Sequence, residues 1–195
     1  MKEGVVTPLE TFREIRKGGY TRNRIGVDWK VVNRILLFED SEGRTDWMFN
    51  LLSAFRVPWR LGGKWFLFPF GAWVMWLSVM GEVKRLVKSG EVEAFGGYSQ
   101  GGWFAANSSA MTGLPAVTFG CPRLGHGDPA LFDKVTHYQN PSDIVTTVPS
   151  WGKSYGTIVI LGGEFRPKVN PDISDYAEMA SGHSPDEYEQ RLEAL

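Results

Sequence analysis

The chain has 195 residues, of which 43% are apolar and 22% charged, and its net charge is −1. These values predict a folded globular protein, and they exclude a disordered chain and a generally basic nucleic-acid binder. The lone cysteine, Cys121, excludes an internal disulfide and a cysteine-based zinc site. We therefore expect a single domain over residues 1–195, with no metal and no other cofactor.

The ends and the apolar segments of the chain bear on its location. Met1 to Arg16 are charged and lack the continuous apolar stretch of a secretory signal. The most apolar segment, Trp65 to Val87, is interrupted by proline, glycine and charged residues, so it falls short of a membrane span. On these grounds a cytoplasmic protein is expected.

Charge is unevenly distributed along the chain. Residues 1–90 contain 15 Lys and Arg against 9 Asp and Glu, whereas residues 91–195 contain 6 against 13. This pattern fits a basic face turned toward an anionic surface, and it equally fits ordinary solvated charge.

Strands alternating with helices predict an α/β fold, with a mostly parallel sheet covered by helices on both faces. Ile25–Val32 and Arg34–Phe38 are predicted strands on either side of Asn33, the second of them buried. Helical spacing of apolar residues predicts helices over Thr45–Phe55 and Ala72–Lys88. The remaining predicted elements are strands at Val92–Tyr98, Pro115–Phe119, Thr136–Gln139 and Thr157–Leu161, and helices at Gln100–Met111 and Ser184–Leu195.

The sharpest local motif is Gly97-Tyr98-Ser99-Gln100-Gly101, a G-x-S-x-G pentapeptide between a predicted strand and a predicted helix. This context is typical of a nucleophile elbow, a strained turn in which small residues must flank the serine. Ser99 would then lie at a helix N-terminus, where backbone N–H groups favour a developing anion. A plain turn at this position is the alternative.

A serine nucleophile needs an adjacent base, and the base needs an orienting acid. In elbow hydrolases the chain order is serine, acid, histidine, which favours His183 over His126. His137 lies within a predicted strand and is expected to be a packed residue or an edge residue there. His183 comes just before the final helix, which we expect to begin with a capping box at Ser184. Asp143 follows a strand end, where an orienting carboxylate belongs, and the competing candidates are Asp128, Asp133, Asp172 and Asp175.

Three further segments match a known pattern. Thr118-Phe119-Gly120-Cys121-Pro122-Arg123-Leu124-Gly125 is similar to T-F-G-[SQ]-P-R-[VL]-G, and Asn140-Pro141-Ser142-Asp143-Ile144-Val145 is similar to N-x-x-D-x-V. With the elbow motif, these segments resemble the class 3 lipases, the family of fungal triacylglycerol lipases and feruloyl esterases, over about residues 25–190. Phe38-Glu39-Asp40-Ser41 lies where this family has F-R-G-[ST]. The resemblance implies a compact α/β-hydrolase fold.

The resemblance also implies roles for individual residues. Ser99 would be the nucleophile, His183 the general base and then acid, and Asp143 the residue that orients His183. The oxyanion would be held by the backbone N–H of Gln100 and by Ser41. The chain departs from the family at Tyr98 and Gln100 of the elbow, and at Glu39-Asp40, where two carboxylates replace Arg-Gly.

The family places a mobile lid helix after the F-R-G-[ST] turn, which corresponds to residues 44–55 here. Trp47, Phe49 and Leu52 would then contact an acyl chain or a lipid surface, or the helix is fixed and packs its apolar stripe. A second aromatic stretch could line a substrate groove or belong to the core, and it comprises Phe55, Trp59, Trp65, Phe66, Phe68 and Phe70.

Together these features predict a serine carboxylester hydrolase that cleaves lipid-like or aromatic esters through an acyl-enzyme. The alternatives are a non-catalytic lipid-binding protein on a hydrolase fold, and an acyltransferase or thioesterase with the same triad. The expected partners are an ester or lipid substrate and, transiently, a lipid surface, but not nucleic acid. The sequence leaves the oligomeric state open.

Overall fold

The fold is built around a mostly parallel sheet. The computed structural model describes residues 7–22, 27–39, 55–163 and 181–195. Within these ranges the strands are β1 (Trp29–Val32), β2 (Ile35–Phe38), β3 (Arg56–Leu61), β4 (Lys64–Pro69), β5 (Ala94–Tyr98), β6 (Ala116–Phe119), β7 (Val135–Gln139) and β8 (Thr157–Ile160). The main sheet has the order β1-β2-β5-β6-β7-β8, and only its β1–β2 pair is antiparallel. The predicted α/β sheet is therefore confirmed.

Helices cover both faces of this sheet, as predicted. On one face lie α1 (Pro8–Arg16) and α4 (Pro185–Glu193), and on the other lie α2 (Phe70–Lys88) and α3 (Gln100–Thr112). Successive side chains of a strand point to opposite faces, so β2 contributes to both cores. Leu36 packs in the core with α2 and α3, whereas Leu37 packs in the core with α1 and α4. Burial on both faces explains why β2 has an unbroken apolar run.

Ion pairs join α1 to α4 at the protein surface. Arg13 Nε donates to Glu189 at 2.8 Å, and Arg16 Nη2 donates to Asp186 at 2.6 Å. Beneath them the ring of Phe12 lies 6.0 Å from that of Tyr188. These contacts fix α4, the helix that directly follows the predicted base His183.

Two elements were missed by the sequence analysis, although the chain carries signals for both. α1 begins with a capping box, in which Glu10 N–H donates to Thr7 Oγ1 at 3.2 Å and Thr7 N–H donates to the Glu10 carboxylate at 2.8 Å. β3 and β4 form an antiparallel hairpin apart from the main sheet. Gly62 and Gly63 connect its strands with positive φ angles of 54° and 81°, which only glycine adopts readily.

Two local predictions were wrong. Ser184 is the N-cap of α4, but its side chain makes no capping hydrogen bond. The reciprocal bond of a capping box is missing as well, because the Ser184 N–H donates to Ser181 O at 2.8 Å and the Glu187 carboxylate accepts from Arg191 Nε at 2.7 Å. Phe55, the predicted end of a helix, is a non-helical residue directly before β3.

Among the described helices, none combines the length and the apolar character that crossing a bilayer requires.

Candidate active site

The sharp turn at Ser99 joins β5 to α3. Ser99 has φ 54° and ψ −126°, a strained conformation for a residue with a side chain. Its N–H donates to Phe119 O at 2.9 Å, and its carbonyl accepts from Gly102 N–H at 3.0 Å. The turn presents the serine side chain at the first turn of α3, as a nucleophile elbow requires.

The glycines of the motif are explained by close backbone approach. A Cβ on Gly97 would lie 2.2 Å from Gly101 O, so strand and helix could not come together at the turn. A Cβ on Gly101 would lie 2.5 Å from Phe38 O, the last residue of β2. Close packing therefore requires glycine at the first and last positions of G-x-S-x-G.

Three side chains far apart in sequence meet at this elbow. His183 Nε2 lies 2.8 Å from Ser99 Oγ, and His183 Nδ1 lies 2.8 Å from Asp143 Oδ2. An ionised carboxylate only accepts hydrogen bonds, so Nδ1 carries the proton and Nε2 is left to accept from the Ser99 hydroxyl. The predicted residues are thus within contact, in the order hydroxyl, imidazole, carboxylate.

Asp143 lies four residues beyond the end of β7 and is fully buried. Its Oδ1 accepts from Val145 N–H at 2.8 Å, while its Oδ2 accepts from Tyr188 Oη at 2.6 Å in addition to His183. Burial, reinforced by the Asp143 charge, raises the pKa of Tyr188 well above its ordinary value, so the hydroxyl keeps its proton and donates. The buried carboxylate thus has three hydrogen-bonding partners, which fix its position beside His183.

The backbone around His183 is held by side chains next to the other two triad residues. Asn140 Nδ2 donates to Gly182 O at 2.8 Å, and the hydroxyl of Tyr98 donates to the His183 carbonyl. The Tyr98 ring also stacks on the imidazole, with centroids 5.0 Å apart and planes inclined by 17°. Tyr98, unusual for the resembled family, therefore contacts both the backbone and the ring of the predicted base.

Gly120, in the Thr118–Gly125 segment, borders the same imidazole. Its φ is +56°, and a Cβ there would lie 2.9 Å from His183 Cε1 and 3.0 Å from Asp143 Oδ2. A side chain at this position would push against the contact between base and acid. The third position of T-F-G therefore has a steric role in the site.

The other two histidines lie away from the elbow. His137 is buried in β7, where Nδ1 contacts Thr118 Oγ1 at 2.6 Å and Nε2 contacts Tyr155 O at 2.8 Å. Burial lowers its pKa to about 4, so it is a neutral packed residue, as expected. His126 is exposed and pairs with Leu67 through its backbone. In the described part of the chain, no group of three or more His, Cys, Asp and Glu side chains is arranged to hold a metal ion.

Of the two predicted oxyanion donors, Gln100 lies within the described residues and Ser41 does not. Gln100 is the first residue of α3, where backbone N–H groups have no carbonyl partner within the helix, and its side chain Nε2 contacts Met75 Sδ at 3.3 Å. Ser41 and most of the predicted lid, including Trp47, Phe49 and Leu52, lie outside the described residues. Their roles stay predictions.

The arrangement was compared with known proteins. No protein-family model matches the chain, and no curated protein does either. Among solved structures, the Lip2 lipase of Yarrowia lipolytica matches with 13% identity and a TM-score of 0.56 over 74% of this chain and 65% of its own. A fungal lipase–inhibitor complex matches with 15% identity and a TM-score of 0.54, over 73% of this chain and 65% of the lipase.

A third structure is a triacylglycerol lipase described as having a serine-protease triad as its catalytic centre. It matches with 19% identity and a TM-score of 0.51, over 72% of this chain and 64% of its own. The chain thus spans less than two thirds of the length of these lipases. Their likeness agrees with the mostly parallel sheet and with the helices on both of its faces. The protein therefore has an α/β-hydrolase fold similar to that of these lipases.

Proposed function

We propose that the protein is a serine carboxylester hydrolase that acts on lipid-like or aromatic esters. The observation that carries this proposal is the line from Ser99 Oγ through His183 to Asp143, with both contacts at 2.8 Å. Nucleophilic catalysis by serine needs these two hydrogen bonds in this order. The likeness of the fold to solved lipases adds support. In this chain the elbow follows the carboxyl end of β5, which pairs in parallel with β6.

In the first half of the reaction, Ser99 Oγ attacks the ester carbonyl carbon while its proton moves to His183 Nε2. The carbonyl π electrons move onto oxygen, and the oxyanion lies near the N-terminus of α3, where the Gln100 N–H is proposed to donate. Asp143 stays ionised and stabilises the imidazolium. When the oxyanion collapses, the C–O bond to the alcohol breaks, and the Nε2 proton passes to the leaving alkoxide.

In the second half, water replaces the alcohol. His183 Nε2 accepts a proton from the water as its oxygen attacks the acyl-enzyme, and the same proton returns to Ser99 Oγ when the acid leaves. The enzyme is regenerated, with one water consumed for each ester cleaved. Ser41 is proposed as the second oxyanion donor, and residues 44–55, with Trp47, Phe49 and Leu52, as the acyl-contacting lid.

An ester panel tests the proposal. Wild-type protein is expected to hydrolyse p-nitrophenyl esters of short and long acids, and Ser99→Ala to lose at least about a thousandfold in kcat/KM. Ser89→Ala, a surface serine at the end of α2, is the matched control and should retain full activity. Equal turnover by wild type and Ser99→Ala would contradict the proposal.

The same panel separates the other candidate functions. A non-catalytic lipid-binding protein would bind esters without turnover in wild type. An acyltransferase would form the ester of an added alcohol faster than free acid, and a thioesterase would prefer acyl thioesters to matched oxygen esters. The complete set of nucleophile, base and acid favours these catalytic functions over the non-catalytic one.

A further inference from the structure

A basic and aromatic surface lies on the hairpin β3–β4. Its members are Arg56, Arg60 and Trp65 on the hairpin and Trp151 beside it, and we call it the arginine–tryptophan face. Arg56 and Arg60 are exposed, and Trp65 is 64% exposed. The face thus places two exposed guanidinium groups beside an exposed indole ring.

The hairpin register puts these residues on one side. Arg60 is the direct cross-strand partner of Trp65, and Arg56 has the same orientation as Arg60 because it lies four residues away on the same strand. The opposite side of the hairpin carries Phe66 and Phe68, which are buried in the core. The outer side of the hairpin thus combines cations with an exposed indole, whereas its inner side packs in the core.

Each arginine of the face lies over a tryptophan ring. The Arg60 guanidinium carbon is 5.4 Å from the Trp65 ring centroid, and that of Arg56 is 4.8 Å from the Trp151 centroid. These cation–π contacts hold the guanidinium groups beside the rings without neutralising their charge. The face therefore presents charge and apolar area to the same partner.

The face continues into a neighbouring groove. β4 pairs through Leu67 with His126, and the adjacent Gly125 accepts from Lys153 N–H at 2.8 Å, so the hairpin is joined by backbone hydrogen bonds to the groove wall. The groove has a volume of about 610 Å³, and Trp151, Arg123 and Lys153 are among its lining residues. Two further cations thus lie next to the face.

Four cations of the face and groove, Arg56, Arg60, Arg123 and Lys153, form no ion pair with a described carboxylate. The groove lining contains no Asp or Glu, and residues 55–81 contain none either. At the hairpin tip, Asp128 pairs with Lys64 and not with these four cations. Among the described residues, these four side chains contribute a charge of about +4 on a chain whose net charge is −1.

We propose that the arginine–tryptophan face docks the protein onto an anionic phospholipid surface. Indole rings favour the boundary between lipid headgroups and acyl chains, and cations beside them are attracted to acidic headgroups. The exposed ring of Trp65 supplies apolar area that a purely electrostatic partner would leave in water. The purpose of docking rests on the proposed function, since it brings the protein to lipid substrate, but the binding itself needs no triad.

The test measures vesicle binding by full-length Ser99→Ala, so that hydrolysis does not alter the lipid. Vesicles of phosphatidylcholine alone are compared with vesicles containing about one third phosphatidylserine. We expect clear preference for the anionic vesicles, and loss of that preference at high salt. The added substitutions Arg56→Gln and Arg60→Gln should weaken anionic binding about 30-fold, because each cation near such a surface contributes about fivefold. Added Trp65→Ala should weaken it further.

The matched control carries Lys84→Gln and Lys88→Gln in the same Ser99→Ala background. It loses the same charge at exposed positions toward the far end of α2, about 20 Å along the helix from the hairpin. It should bind like its parent, and unfolding curves should show that all variants fold. Equal binding of neutral and anionic vesicles, or equal weakening by both double substitutions, would overturn the proposal. Competition with single-stranded RNA gives a further test. If RNA releases the protein from anionic vesicles at a lower concentration than added competitor vesicles of phosphatidylserine do, the face binds nucleic acid and the proposal is overturned.

Esterase activity in wild type separates this inference from the proposed function. Failure of docking with intact hydrolysis of soluble esters would overturn only the docking proposal. Docking by Ser99→Ala together with an inactive wild type would overturn only the hydrolase proposal.

Discussion

Tyr188→Phe removes one hydroxyl from beneath the triad and leaves the buried ring in place. That hydroxyl donates to Asp143 Oδ2 at 2.6 Å and accepts from Asn140 N–H at 3.1 Å. A hydrogen bond to a buried charge contributes about 1.5–3 kcal/mol, and the lost acceptor for Asn140 adds to this. We expect the free energy of unfolding to fall by about 3 kcal/mol, and the melting temperature by about 10 °C for a chain of this length.

The same substitution should also lower kcat for ester hydrolysis, because the hydroxyl is one of the donors that hold the Asp143 carboxylate beside His183. Urea unfolding measures the stability, and hydrolysis of p-nitrophenyl esters measures kcat. Tyr138→Phe is the matched control, since the Tyr138 hydroxyl has no hydrogen bond to a described residue. Equal stability losses in the two variants, or an unchanged kcat in Tyr188→Phe, would refute the reasoning.

Three further predictions concern residues around the site. Tyr98→Phe should lower kcat about fivefold with little change in KM, because it removes the donor to the His183 carbonyl but keeps the stacked ring; an unchanged kcat would argue against a positioning role. Gly113→Ala places a side chain at positive φ in open space, so it should cost about 1 kcal/mol of stability and leave activity unchanged. Gly120→Ala adds a clash with the imidazole to the same backbone cost, so it should lose more stability and lose activity as well. Because burial lowers the pKa of His137 to about 4 from 6.5, the unfolded chain binds the proton first as the pH falls, so stability present above pH 6.5 is lost on the way down to pH 4. Urea unfolding should show a loss of about 3 kcal/mol between pH 7 and pH 4, and an identical pH slope in His137→Gln would contradict its origin.

The nucleophile turn was predictable because its determinants are local. Gly97 and Gly101 lie within two residues of Ser99, and the apolar strand and small-residue helix on either side identify the turn without distant information. Asp143 could also be predicted from the sequence, since a carboxylate just beyond the end of a parallel strand has a defined place at the edge of the sheet. Chain order then selected His183.

The supports of the triad were not predictable, because each joins segments distant in sequence. Tyr188 is 45 residues from Asp143, Asn140 is 42 residues from Gly182, and Tyr98 is 85 residues from His183. No spacing rule connects such pairs before the fold brings them together. The hairpin differs, since Gly62-Gly63 between two aromatic runs is a local signal that the sequence analysis passed over.

Covalent labelling by a fluorophosphonate tests the central claim most directly, because the probe reacts with a serine only when a base activates it. We expect one adduct per chain, on the peptide that contains Ser99, with none in Ser99→Ala and much slower labelling in His183→Ala. Wild-type protein that is left unlabelled, or labelled equally in Ser99→Ala, would show that the hydroxyl at the elbow is not an activated nucleophile.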